Sequence, residues 1–384
     1  MGAFLTKPPT PTPPRVAFVL HDAGETKALQ PVMQQLDQWG VSYGILADGT
    51  ARTLVAGNPH LTPLPADIAV LAQTAPAQAA AAQQALNNTT QAPCVVIGLV
   101  SPFQKAWSDW FRNNGKTVVG YYDSFSLNPE NSIISAFGPA LNALVTPSGD
   151  TARLLQRQFP GIPVTALGQP TLEHMEQLSA AMPSLDLARQ LSLAPGQPTL
   201  LFVGGYGPGY AQAFETFCQS VAGLPPFNLL IAPHPGTDGR TEQEILSRYH
   251  LQGQVRWLPA GLETAEALSV ASMVLTHDST MATQAALEGK PVLLVGETAA
   301  KAQNLPDTFN PLTRYGIAPR LTEAASLQTA LLQAWPVMLQ TPAAPKPALP
   351  LFNALGVPRQ AAWAIGSYIL SLLQPVNQLN APPS

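Results

Sequence analysis

Charge is what this 384-residue sequence has least of: 11% of its residues are Asp, Glu, Lys or Arg, against ~25% in soluble domains generally. Since 46% are hydrophobic, a chain held open by its own charge is excluded, because such chains lack the apolar surface to order themselves. The net charge of −4 gives no electrostatic case for nucleic acid as a partner. Cysteine is as scarce. Cys94 and Cys218 lie far apart in apolar surroundings, so neither a disulfide framework nor a thiolate metal site follows. There is no HExxH, and the six histidines show no metal-ligand spacing, so no metal is expected. No GxSxG elbow follows a strand. The most membrane-like stretch, Ala361–Leu373, falls short of the ~20 residues of a spanning helix. Met1–Pro14 is proline-rich without the apolar core of a signal peptide. A globular, cytoplasmic protein is the expectation.

What the chain does have is alternation. Apolar runs at Arg15–Leu20, Val41–Leu46, Ile68–Leu71, Pro93–Val100, Thr117–Tyr122 and Leu141–Thr146 are separated by helical patterns such as Pro102–Asn114 and Thr151–Phe159. The second half repeats the plan, with runs at Thr199–Val203, Asn228–Ala232, Val255–Leu258, Met273–Thr276 and Val292–Val295. Helical patterns lie between them at Tyr210–Val221, Thr241–Tyr249, Thr264–Ala271 and Met281–Glu288. Val/Ile/Leu runs alternating with helices predict parallel sheets covered on both faces. Alanine propensity favours a helix over Ala77–Ala85. The fold class is therefore α/β, with two Rossmann-like domains facing across a cleft. A proline-rich tail (1–14) precedes an N-terminal domain (15–176), a linker (177–197) and a C-terminal domain (198–350); a crossing helix (351–375) returns toward the N-domain before a short tail (376–384). Phe103, Trp107, Trp110 and Phe111 mark a helix face that suits the core or a homodimer contact.

In open parallel sheets ligands sit beyond the carboxyl ends of the strands, which singles out four loops. His21–Asp22 follows the first strand, where an imidazole beside a carboxylate suits a general base; the same loop also reads as a capped helix start. Gly204–Gly205–Tyr206 lets backbone amides approach a phosphate, but it is neither the dinucleotide fingerprint nor a P-loop. His234 is flanked by Pro233 and Pro235, a rigid turn suited to a ligand contact. Asp278–Ser279–Thr280 opens a helix, where hydroxyls and first-turn amides suit an anion and where capping is the plainer reading.

The order of these loops resembles the GT-B-fold nucleotide-sugar enzymes, which include many glycosyltransferases and the non-hydrolysing UDP-N-acetylglucosamine 2-epimerases. Gly168–Gln169–Pro170–Thr171–Leu172–Glu173 is similar to the segment that ends such N-domains. Pro233–His234–Pro235 is similar to their C-domain histidine–proline motif, and His277–Thr280 through Gly289–Lys290–Pro291 to their phosphate loop, helix and next strand. Glu25–Pro31 is similar to the first-helix entry of the epimerases, with the lysine displaced by one place. The resemblance implies an inverting, metal-independent glycosyltransferase with no cofactor, taking a nucleotide-diphosphate sugar, UDP-linked, as donor and an unidentified glycan, lipid-linked or protein acceptor. It implies that His21 is the base beside Asp22. It also implies that Gly204, Gly205, Tyr206, His234, Asp278, Ser279 and Thr280 hold the donor, with the backbone after Leu258 at the base. Gln284 stands where a ribose-contacting glutamate is usual. An epimerase or hydrolase, for which Asp123 and Glu173 are further acid candidates, and a non-catalytic binding subunit are the alternatives.

Overall fold

The computed structural model describes residues 13–127, 132–174, 184–302, 309–340 and 353–373. Most of the two tails, the first third of the expected linker and the proline-rich break at Pro342–Pro350 lie outside them. Two six-stranded parallel sheets form. The first comprises β1 (Val16–Leu20), β2 (Tyr43–Ala47), β3 (Cys94–Gly98), β4 (Thr117–Tyr121), β5 (Ala143–Thr146) and β6 (Val164–Ala166), in the order β2-β1-β3-β4-β5-β6. The second comprises β7 (Thr199–Val203), β8 (Asn228–Ala232), β9 (Gln254–Trp257), β10 (Met273–Thr276), β11 (Val292–Val295) and β12 (Arg320–Leu321), in the order β12-β11-β10-β7-β8-β9.

The unbroken apolar strands follow from burial on both faces. Successive side chains point to opposite sides of a sheet. Val16, Phe18 and Leu20 accordingly enter one core with the Ala23–Gln38 helix, and Ala17 and Val19 enter another with Ala82, Leu86 and Phe111. Leu200 and Phe202 divide from Leu201 and Val203 in the same way in the second sheet.

Two expectations change. Ile68–Leu71 is not a strand but part of the helix Pro65–Thr74. A four-residue apolar run cannot by itself distinguish the two; here Pro65 opens the helix and Asp67 accepts the Leu64 amide at 2.8 Å. Strands β6 and β12 had no apolar run to announce them. The alanine-rich stretch is helical, over Pro76–Thr90.

The halves are joined by more than the linker. Leu127 and Phe309 form an antiparallel bridge. The Tyr315 hydroxyl donates to Asp150 Oδ2 at 2.5 Å. The helix Ala361–Ser371 packs on the N-terminal half, with Ile365 and Ile369 in its core. No helix among the described residues is long and apolar enough to cross a membrane.

Candidate functional site

Each sheet reverses its strand order beside its first strand, between β1 and β3 and between β7 and β10, and ligand crevices form at such switch points. The cleft between the halves opens there. The cavity there is about 120 Å³, with Gly24, Lys27, Asp123 and Gln169 among its N-terminal lining and Gly204, His234, Glu263, Ser279 and Thr280 among its C-terminal lining.

On the C-terminal wall, Gly204 is fixed by close approach: a Cβ there would stand 2.9 Å from the His234 nitrogen and 3.0 Å from the Ala232 oxygen. Tyr206, exposed, meets the His234 ring edge-on with centroids 4.6 Å apart. His234 Nδ1 accepts the Gly236 amide at 3.0 Å. Burial holds this imidazole below its ordinary range, against the opposing pull of Asp22 and Glu242. A neutral ring whose Nδ1 accepts must carry its proton on Nε2. His234 is therefore a hydrogen-bond donor at its free nitrogen, which suits an oxygen-rich ligand and not proton abstraction.

The Ser279 hydroxyl accepts the Met281 amide at 3.2 Å, and the Ser279 amide donates to Thr276 Oγ1 at 3.3 Å. Ser279 thus bonds the first amide of the following helix, whose N-cap is Thr280, while lining the cleft beside Thr280. Asp278 does neither: its Oδ1 accepts from Arg320 Nη2 at 2.5 Å. Gln284 is 1% exposed, outside the cleft lining, and its Nε2 donates to the Glu288 carboxylate. Gly205 backs onto the Tyr210 ring. Leu258 lines an adjoining cavity, its amide held by the Ile231 carbonyl at 2.8 Å.

On the N-terminal wall the adjacent pair His21 and Asp22 is split. Asp22 Oδ1 accepts the Glu25 amide at 3.0 Å and caps the helix, while Glu25 Oε1 accepts the His21 amide at 2.5 Å. The His21 ring lies over Gly49 with Nδ1 3.7 Å from Asp48 Oδ2, and it is not among the residues that line the cleft. Its carboxylate neighbour is therefore Asp48, not Asp22. His21→Ala is expected to change turnover less than ~10-fold, since general-base removal costs ~10²–10⁴-fold; a hundredfold loss in a steady-state assay would return the base to His21.

Asp123, just past β4, lines the cleft instead. A Cβ on Gly24 would stand 2.6 Å from Asp123 Oδ2 and 3.7 Å from Asp22 Oδ1, so the two carboxylates flank one point. Burial and the charge of Asp22 push the Asp123 carboxyl up to about 7. Behind them Glu25, 1% exposed, is raised well above its ordinary value, first by burial and then by Asp22. It is bonded by Gln104 Nε2 at 2.5 Å. Glu173, the other acid candidate, accepts the Ala361 amide at 3.3 Å, at the start of the crossing helix.

Glu263 went unnoticed in the sequence, where Lys27 counted only as the displaced lysine of the first-helix entry. They meet across the cleft at 3.6 Å. No group of three or more His, Cys, Asp or Glu among the described residues could hold a metal ion.

No protein-family model and no curated protein matches the chain. Solved structures do. It is similar to UDP-GlcNAc 2-epimerase from Neisseria meningitidis bound to UDP-GlcNAc, at 14% identity over 93% of this chain and 99% of that one, with a TM-score of 0.64. It is also similar to S. aureus MnaA in complex with UDP (12% identity, 96% and 99% covered, TM-score 0.63). A third likeness is to Acinetobacter baumannii MurG (14% identity, 93% and 100% covered, TM-score 0.55). The likeness is one of fold: two Rossmann-like domains in the GT-B arrangement.

Proposed function

We propose that the cleft binds a UDP-linked sugar and that the protein transfers that sugar to an acceptor hydroxyl. One observation carries the reading. A carboxyl group poised near neutrality, Asp123, lines the same cleft as the Ser279 and Thr280 hydroxyls and the donor nitrogen of His234. UDP-GlcNAc and UDP in the similar structures support the choice of nucleotide.

In this reading the diphosphate rests at Ser279 and Thr280 beside the Gly204–Tyr206 turn, and the backbone after Leu258 meets the base. His234 Nε2–H donates to a phosphate or sugar oxygen. Asp123 takes the acceptor's proton as its oxygen attacks the anomeric carbon. The bond to the diphosphate breaks on the opposite face, and hydrogen-bond donors on the C-terminal wall stabilise the departing charge.

A second reading has its own observation. Asp22, Glu25 and Asp123 gather three carboxyl groups at one place, more than a single proton transfer needs, and an epimerase must remove and return a proton at one carbon. Calorimetric titration with UDP, GDP, CDP, dTDP and ADP tests both readings together. UDP is expected to bind, with affinity lost at least tenfold in Ser279→Ala/Thr280→Ala, and silence across the panel would sink the nucleotide-sugar proposal. NMR of UDP-GlcNAc in deuterated water then divides the two. Deuterium entering the sugar ring without an acceptor means epimerisation; an unchanged sugar that is consumed only with an acceptor means transfer.

A further inference from the structure

Beside the main cleft lies a second cavity, and the two share Lys27, Thr171, Pro233, Pro235, Glu263 and Thr264 as a common waist. Ser279 and Thr280 line only the first; Leu258 and Pro259 line only the second. A nucleotide reaching from a base at Leu258 to phosphates at Ser279 therefore crosses the waist with its middle part, the ribose. A ribose presents two vicinal hydroxyl donors, which need an acceptor.

Among the described waist residues Glu263 is the one carboxylate. Its amide donates to Glu266 Oε2 at 2.6 Å, which anchors the segment where the helix Thr264–Leu268 begins. Lys27 Nζ lies 3.6 Å from Glu263 Oε2. Opposite, the buried Thr171 hydroxyl has no hydrogen-bond partner among the described residues. Gln284, by contrast, is shut away from the cleft with its amide nitrogen given to Glu288.

We propose that Glu263 receives the ribose hydroxyls of the bound nucleotide and makes the site selective for ribonucleotides over 2′-deoxyribonucleotides. This rests on the nucleotide-sugar reading above. A hydroxyl bonded to a carboxylate is held more strongly than one bonded to a neutral acceptor, and its loss is expected to cost tenfold or more in affinity.

The test compares UDP with 2′-deoxy-UDP by calorimetry, in the wild-type protein and in Glu263→Ala. Freed Lys27 affects both ligands alike, so the ratio of their dissociation constants isolates the hydroxyl. The ratio is expected to be ten or more in the wild type and to fall close to one in Glu263→Ala, with Glu263→Gln between them. A wild-type ratio near one, or a large ratio that survives in Glu263→Ala, overturns the role of Glu263 while leaving UDP binding intact. Failure of the wild type to bind UDP at all removes the nucleotide reading itself.

Discussion

Asp123→Asn is expected to lose about 10²–10⁴-fold in turnover and, above pH 7, to unfold at a higher temperature than the wild type. Both effects come from one cause. The Asp123 carboxyl is pushed from its ordinary 3.8 to about 7 by burial and by Asp22. Between those values the folded protein holds a proton that the unfolded chain has released. Stability therefore falls as pH rises through this window and is lowest above pH 7. Asparagine keeps the shape and never acquires the charge, so the gain should be full at pH 8 and gone near pH 4. Glu25 and the Tyr121, Tyr122 and Tyr206 hydroxyls lie in the same field, and all of them are raised. The Asp123 charge is one cause of each of these shifts, so Asp123→Asn relaxes them as well, in the same direction as its own gain. Turnover in the wild type should rise with pH to a plateau above about 7, because a base must be unprotonated to act. Melting temperatures from pH 4 to 8 and the matching rate profile check the argument. A variant that keeps its activity, or whose stability gain does not depend on pH, would refute it.

The strand plan was legible because both faces of each sheet are buried: Thr199–Val203, Asn228–Ala232, Met273–Thr276 and Val292–Val295 coincide with their apolar runs. Edge strands β6 and β12 are half-buried and two or three residues long, too little for any periodicity to show. The C-terminal wall was readable as well, since Pro233–His234–Pro235 and Ser279–Thr280 stand at strand ends whatever their partners. Sequence adjacency misled at His21 and Asp22: the backbone is still extended at Asp22, so the neighbouring side chains diverge, one toward Asp48 and the other to the helix cap. Asp278 looked like a ligand until its partner came from β12, with Arg320. The Lys27–Glu263 pair joins the two halves, and no local pattern announces a contact of that range. What the sequence hides is pairing between distant segments, and the charge balance of the cleft is made of such pairs.

One segment decides whether the two walls stay in register. Leu355 and Val357 sit in a core of the C-terminal half that also takes in Phe125 and Leu172. A few residues later Ile365 and Ile369, four apart on one helical face, are fully buried in the N-terminal core with Val32, Met33 and Leu36. Gly366 lies so close to the N-terminal half that a Cβ there would stand 2.9 Å from the Trp39 ring. Deleting a buried isoleucine side chain to alanine costs about 2–5 kcal/mol, and whole domains hold only about 5–15 kcal/mol in reserve. Ile365→Ala/Ile369→Ala is therefore expected to lower the melting temperature by about 10–40 °C, at ~2–4 °C per kcal/mol for a unit of this size. Because the loss falls on the half that carries Asp123 and not on the half that carries Ser279 and His234, turnover should disappear at temperatures where UDP still binds. A melting temperature within a few degrees of wild type, or binding and turnover lost together, would mean that the crossing helix does not hold the N-terminal wall in place.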